Sequence, residues 1–398
     1  MDKFQKSIHQ IKNKRFWFGL FLAVFLSMVI ASPIYFYRIT KPVDNDYAAH
    51  VMAAQELLET GKAGPHLAHP LLQIILIGIV KLSFGQLGFY AALIILQVLV
   101  QGAITAIIYL YLDCRNNNAA CTFWRVFAAV TIPLLGPFML LALKDGLFYY
   151  GYISIANYHN PTVHLLKPFA LLCVIISLKA FESPMLPKTQ VVLAAVLTCL
   201  SALAKPNFLI IFLPALFVLV LVQRIKKNNF DLKALVLGFF VPGIFVLFGQ
   251  WFYTYASVEQ QSGIIFAPFL VESAFSAFLL SKFLLSSLFV IQGSILFRKE
   301  LITKPDLFTG LLLFLFGIAQ YYLFAESGFR LEHANFRWSA QIGLFLFTVL
   351  ITRRYFEHFL IDGVKNIIQR MLALITYGAH LIGGIAYYVY CITSVHYR

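Results

Sequence analysis

Apolar runs long enough to cross a bilayer follow one another from Phe16 to Ile392, interrupted by short polar segments, and nothing else in the chain constrains its fold as strongly. Lipid offers no hydrogen-bond partners, so each run must satisfy its backbone internally as a helix. With 60% hydrophobic and 12% charged residues among 398, the chain cannot be a water-soluble globule. The expected fold is all-α and polytopic, a single transmembrane domain over 1–398. About eleven transmembrane helices are expected, at 16–37, 88–112, 123–143, 163–181, 189–204, 208–222, 233–254, 276–297, 306–325, 338–352 and 370–392. A basic start (Lys3, Lys6, Lys12, Lys14, Arg15) before Val29-Ile30-Ala31 has the outline of a signal peptide. Pro33 and the apolar continuation to Tyr37 instead indicate a retained first span.

Whether Pro70 to Phe84 crosses decides the side of every later loop. Fifteen helical residues reach only about 22 Å, short of a ~30 Å hydrocarbon core. The segment is therefore expected to be a second juxtamembrane or re-entrant helix beside the one that starts at Asp46. That choice leaves 20 Lys and Arg on the cytoplasmic side against 11 outside, whereas a crossing helix would leave 13 inside and 18 outside. The positive-inside rule selects the first arrangement, with the N-terminus cytoplasmic, the C-terminus extracytoplasmic, and the plasma (inner) membrane as location. Lys205-Pro206-Asn207 fits either a kink in one long helix or a tight external turn.

A net charge of +14 invites a nucleic-acid reading, but the basic residues fall in short clusters between apolar runs, as membrane orientation requires. The five cysteines show no repeated C-x-x-C spacing, so neither a disulfide framework nor a zinc site is expected. No internal repeat marks a two-half transporter.

The segment Asp46 to Gly61 puts a carboxylate just after the first span and continues as a short amphipathic helix. Tyr47, Val51, Ala54 and Leu58 fall on one stripe, with Glu56 and Glu59 turned away and His50 one turn beyond Asp46. Asp46 is also placed to cap that helix. The loops assigned to the outer side hold nine of the seventeen acidic residues and most of the histidines. The first loop carries Asp44, Asp46, His50, His66 and His69; the second carries Asn157, His159, Asn160 and His164; a third carries Arg330, Glu332, His333, Asn335 and Arg337. A base, groups that hydrogen-bond hydroxyls, and fixed positive charge for a leaving phosphate are the requirements of group transfer. Plainer roles exist for several of these: loop positions beside Pro65 and Pro70 for His66 and His69, interfacial anchors for Arg330 and Arg337, and a snorkelling Lys205.

Asp46, Tyr47, Ala54, Glu56, Leu58 and Gly61, followed by His69-Pro70-Leu71, resemble the first extracytoplasmic loop of the GT-C glycosyltransferases, in particular the mannosyltransferase and aminoarabinose-transferase branch. Asn160-Pro161-Thr162 running into Phe169-Ala170-Leu171-Leu172, and Ala204-Lys205-Pro206, are similar to that family's second loop and its T-K-P turn. The likeness covers 16–255, with 256–398 sharing only the general plan. The chain departs from the pattern at Tyr47, where the second acid of a pair is usual and Asp44 lies upstream instead, and at Asn160, where an acid is common. Both departures speak for a mechanism without a metal or other cofactor.

The resemblance implies an integral-membrane enzyme that moves a sugar from a polyprenyl-phosphate donor to an acceptor hydroxyl of a glycan, lipid or protein on the outer side, with inversion. Asp46 is the expected general base, with Asp44 and His50 completing the catalytic set. His69, His159, Asn160, His164 and His333 are expected to orient the sugar or Asp46, and Arg330, Arg337 and Lys205 to hold the donor phosphate. The partners are this lipid-linked donor, its acceptor and membrane lipids, not nucleic acid. A lipid-linked oligosaccharide flippase or small-molecule transporter is the alternative from another class, and a surface-polysaccharide polymerase or ligase a third.

Overall fold

The computed structural model describes residues 14–41, 46–61, 68–112, 118–255, 263–361, 363 and 366–394. The helices that build the molecule are α1 (Lys14–Thr40), α2 (Tyr47–Thr60), α3 (Leu71–Leu82), α4 (Phe89–Tyr111), α5 (Ala119–Thr131), α6 (Pro161–Glu182), α7 (Lys188–Ala204) and α8 (Asn207–Ile225). They continue with α9 (Leu232–Tyr255), α10 (Leu279–Leu296), α11 (Pro305–Leu323), α12 (Arg337–Phe356) and α13 (Ile367–Thr393). Strands β1 (Ile264–Phe266) and β2 (Phe324–Glu326) form one antiparallel pair, Ile265 opposite Ala325. Among the described residues nine helices are long and apolar enough to cross a membrane, as an all-α multi-pass protein requires; Ala119–Leu134 and Lys188–Ala204 are apolar but shorter.

Polar side chains fix the register of the first pair. Gln101 and Thr105 of α4 both reach the Ser27 hydroxyl of α1, at 3.1 and 2.7 Å, and Tyr109 donates to the Phe16 carbonyl at 3.0 Å. These partners run in opposite directions, so the two helices are antiparallel. The chain between Thr40 and Phe89 thus returns to the end of the bundle from which it left, as the length of Pro70 to Phe84 had implied.

Without a hydrophobic drive between helices in lipid, close approach depends on small residues. A Cβ at Gly343 of α12 would lie 2.6 Å from the Leu313 carbonyl of α11, and one at Gly317 equally close to that of Ser339. This contact makes α12 the central helix, buried along nearly its whole length.

The sequence expectation fails at 123–143. The helix stops at Leu134, and 135–160 is largely irregular chain packed inside the bundle, with one short turn at Ala142–Asp145. Buried irregular backbone is tolerated only when other groups complete its hydrogen bonds. Here Lys167 donates to the Ile155 carbonyl at 2.8 Å, Ser286 accepts from the Ile153 amide at 3.0 Å, and the Gly136 amide donates to the His380 carbonyl at 3.1 Å. Lys282 clamps the segment through Asp145, at 2.6 Å, and through the Tyr150 carbonyl. Cys173, Cys199 and Cys391 are free, but Cys121 is disulfide-bonded, which the cysteine spacing gave no sign of.

Candidate functional site

Where 135–160 meets α6, two asparagines organise the chain. Asn157 accepts through Oδ1 from the amides of His159 and Asn160, both at 3.1 Å, and so folds the loop that ends at Asn160. Asn160 then caps α6, its Oδ1 accepting from the Val163 amide at 3.1 Å and the Thr162 hydroxyl at 2.8 Å, with Pro161 favouring the first helical position. With Oδ1 so engaged, only Nδ2 is left to donate. It donates to Asp46 Oδ2 at 2.6 Å.

Asp46 occupies the cap position of α2 but its side chain makes no capping bond. The carboxylate faces Asn160 instead, while the Asp46 amide donates to the His159 carbonyl at 3.1 Å. Tyr47, Val51 and Ala54 are buried as the stripe predicted; Leu58, at its far end, is exposed. His50 lies one turn on, its Nδ1 accepting from Gln73 Nε2 of α3 at 2.8 Å. Burial, helped by the Lys205 charge, pushes its pKa down to about 3, so His50 is a neutral imidazole with its proton on Nε2.

Lys205 arrives from the opposite wall. A residue before proline is driven to extended backbone, and Lys205, with φ of −169° and ψ of 131°, ends α7 just before Pro206 opens α8. The chain therefore breaks there into two helices, and a single kinked one is not formed. Lys205 Nζ sits 5.3 Å above the Trp338 ring and 3.3 Å from the Thr162 hydroxyl, with no ion pair among the described residues. Burial lowers its pKa to about 8, against the opposing pull of Asp46 and Glu326.

These groups line one cavity of about 400 Å³, bordered by Asp46, His50, His69, His159, Asn160, Lys205, Arg330, His333 and Arg337 together with Tyr149, Glu332 and Trp338. With Asn335, which also lines it, eleven of the residues singled out from sequence thus meet, drawn from three loops and from the break between α7 and α8. His164 does not reach the cavity; it is buried under it in α6, with Nδ1 3.2 Å from the Tyr35 hydroxyl. Asp44 and His66 lie outside the described residues. Burial holds His69 and His159 well below the usual histidine range, with Lys205 adding to the effect at both, so both are neutral.

The two arginines are less available than Lys205. Arg337 donates to both oxygens of Glu272, at 3.0 and 3.1 Å, in a nest of Tyr149, Tyr150, Phe275 and Tyr321, and Tyr321 also donates to Glu272. Arg330 lies 3.5 Å from Glu326, which also accepts from Tyr255 and Asn335. Glu272, Glu326, Tyr149 and Trp338 carry no local motif. The only sequence sign of the carboxylates was their place in the loops assigned to the same side as Asp46.

A second cavity, about 280 Å³, shares His69, Lys205, Arg330 and Asn335 with the first. Its remaining wall is largely apolar and aromatic, including Ile210, Leu247, Trp251 and Phe336. Lys205 and Arg330 hence stand where a polar chamber adjoins an apolar one. Among the described residues no group of three or more His, Cys, Asp or Glu side chains is placed to hold a metal ion. No protein-family model matches this chain, and no curated protein is similar enough to it to serve as a relative.

Proposed function

We propose that this protein is a membrane glycosyltransferase of the GT-C kind, moving a sugar from a polyprenyl-phosphate donor to an acceptor hydroxyl on the outer side of the plasma (inner) membrane. The observation that carries the reading is the junction itself: a polar chamber around Asp46, an apolar chamber beside it, and on the border Lys205, which has no ion pair among the described residues. A donor of this class has the same three parts in the same order, namely sugar, phosphate and hydrocarbon. Eleven crossings complete the proposal, Ala119–Leu134 and Lys188–Ala204 being the two short ones, with α2 and α3 lying along the outer interface.

In this mechanism Asp46 takes the acceptor proton as the hydroxyl oxygen attacks the anomeric carbon from the face opposite the phosphate. The bond from that carbon to the phosphate oxygen breaks, configuration inverts, and the electron pair leaves with the phosphate. Lys205 and Arg330 stabilise the departing charge. Arg337, already neutralised by Glu272, instead holds Tyr149 and Tyr150 against the sugar. Asn160 keeps the carboxylate aimed, and neutral His50, His69 and His159 offer hydrogen bonds to sugar hydroxyls without competing for the phosphate. The test is transfer by purified protein from a panel of polyprenyl-phosphate sugars, with EDTA present throughout. Turnover with an inverted product supports the reading; failure to bind any such donor would remove it, and complete loss restored by Mg²⁺ or Mn²⁺ would overturn the metal-free form.

A further inference from the structure

From Leu71 to Val80, helix α3 carries a single polar side chain, Gln73, and that side chain is fully buried. An amide taken out of water is stabilised only by what it bonds to, and an aliphatic side chain of similar size would carry no such cost. Among the described residues Gln73 has one side-chain bond, from Nε2 to His50 Nδ1 of α2 at 2.8 Å, while its Oε1 is buried without a partner. Packing therefore does not account for a glutamine at this place; the bond to His50 does.

A neutral histidine has one proton for two ring nitrogens. An amide N–H can only donate, so Nδ1 accepts and the proton stands on Nε2. No described residue takes that proton, and the ring borders the polar chamber. His50 also stands one turn beyond Asp46, its amide donating to the Asp46 carbonyl at 3.1 Å, so both side chains come from the same face of α2. Burial and the Lys205 charge keep the imidazole neutral, which leaves the tautomer to decide what it offers a ligand. We infer that Gln73 is a positioning residue: it pins the His50 ring in the tautomer whose Nε2–H holds the oxygen of a substrate hydroxyl while the hydroxyl proton points to Asp46. The opposite tautomer would present a lone pair to the chamber and compete with Asp46 for that proton. The substrate half of this inference rests on the glycosyltransferase reading; the tautomer is a property of the protein alone.

Two measurements on the full-length protein in detergent micelles test it. Nitrogen NMR with isotope-labelled histidine and no substrate, the His50 signal assigned by its loss in His50→Gln, is expected to show the proton on Nε2, and Gln73→Leu should mix the two tautomers. In transfer from a polyprenyl-phosphate sugar, Gln73→Leu should lower kcat roughly tenfold, the size of one hydrogen bond, with KM for the donor little changed and thermal unfolding as in the unmodified protein. His50→Ala should cost at least as much, and adding Gln73→Leu to it should cost nothing more, because Gln73 acts only through His50. A proton on Nδ1 in the unmodified protein, a tautomer indifferent to Gln73→Leu, or losses that multiply in the double variant would each overturn the inference. Absence of turnover with every such donor would remove the proposed reaction and the orienting role with it, whereas the NMR result would still decide whether Gln73 sets the His50 tautomer.

Discussion

At its start α12 presents Arg337 and Trp338 to a cavity of about 400 Å³; some 21 Å further along the same helix, Thr352, Tyr355 and Phe356 border one of about 250 Å³. Hydrophobic residues dominate the helix throughout, yet the two ends differ in where neighbouring polar atoms point. Around Arg337 they turn inward: Asp46, Asn160, Lys205 and four histidines face a common space. Around Tyr355 they turn away into bonds of their own, and the lining is largely apolar. The proposed reaction is assigned to the first end because a reacting sugar needs converging donors and acceptors, which the second end lacks. Hydropathy averages over both, and cannot separate them.

Breaking the polar end at its base should have the largest effect. Asp46→Asn keeps the shape but removes the proton acceptor, so turnover is expected to fall by about 10²–10⁴-fold while donor binding persists; near-normal turnover in a transfer assay would exclude Asp46 as base.

Lys205 comes next. Lys205→Gln should weaken donor binding by about ten- to a hundredfold, the loss of a charge-assisted contact. With its pKa lowered to about 8, Lys205 is charged at pH 7 and gives up its proton as the pH rises through 8. Donor affinity should therefore decline across that window, and Lys205→Arg should flatten the decline. A pH-independent affinity in the unmodified protein would move the phosphate elsewhere.

Asn160→Asp would set a second carboxylate against Asp46, now 2.6 Å from the amide. Two like charges so close raise the pKa of the pair, so turnover should drop about tenfold near neutral pH and recover as the pH rises. The pH–rate profile reads this directly.

Much of the polar end could be read in the sequence because its residues announce themselves locally. Asp46 opens an amphipathic helix, Asn160 precedes Pro161 at a helix start, and Lys205 precedes Pro206. The rest depended on tertiary contacts. Glu272 and Glu326 matter as partners of arginines 65 and 4 residues away, and no spacing rule links the first pair. His164 looks equivalent to His159, but the turn of α6 carries it beneath the cavity to Tyr35. Part of the irregular 135–160 reads as a span in the sequence, since a buried segment completed by Lys167, Ser286 and His380 is as apolar as one facing lipid. The apolar end had no sequence signal, because apolar aromatic residues are everywhere in this chain.

The smallest effect sharpens the comparison most. Gln341, also on α12, donates to the Tyr149 hydroxyl at 2.7 Å and lies 3.4 Å from the Asn157 amide nitrogen. Gln341→Leu should cost about 1–3 kcal/mol of stability through the unpartnered groups it leaves and slow turnover several-fold, with donor affinity retained. A change in affinity alone would mean that Gln341 shapes the pocket and does not position the loop.

The most direct test is a cryo-electron microscopy structure of the protein with a polyprenyl phosphate bound. The phosphate is expected within hydrogen-bond distance of Lys205 Nζ, with the chain along Leu247 and Trp251 and open space between phosphate and Asp46. A phosphate seated at the far end of α12, or a chain lying outside both chambers that meet at Lys205, would contradict the assignment of chemistry to the polar end.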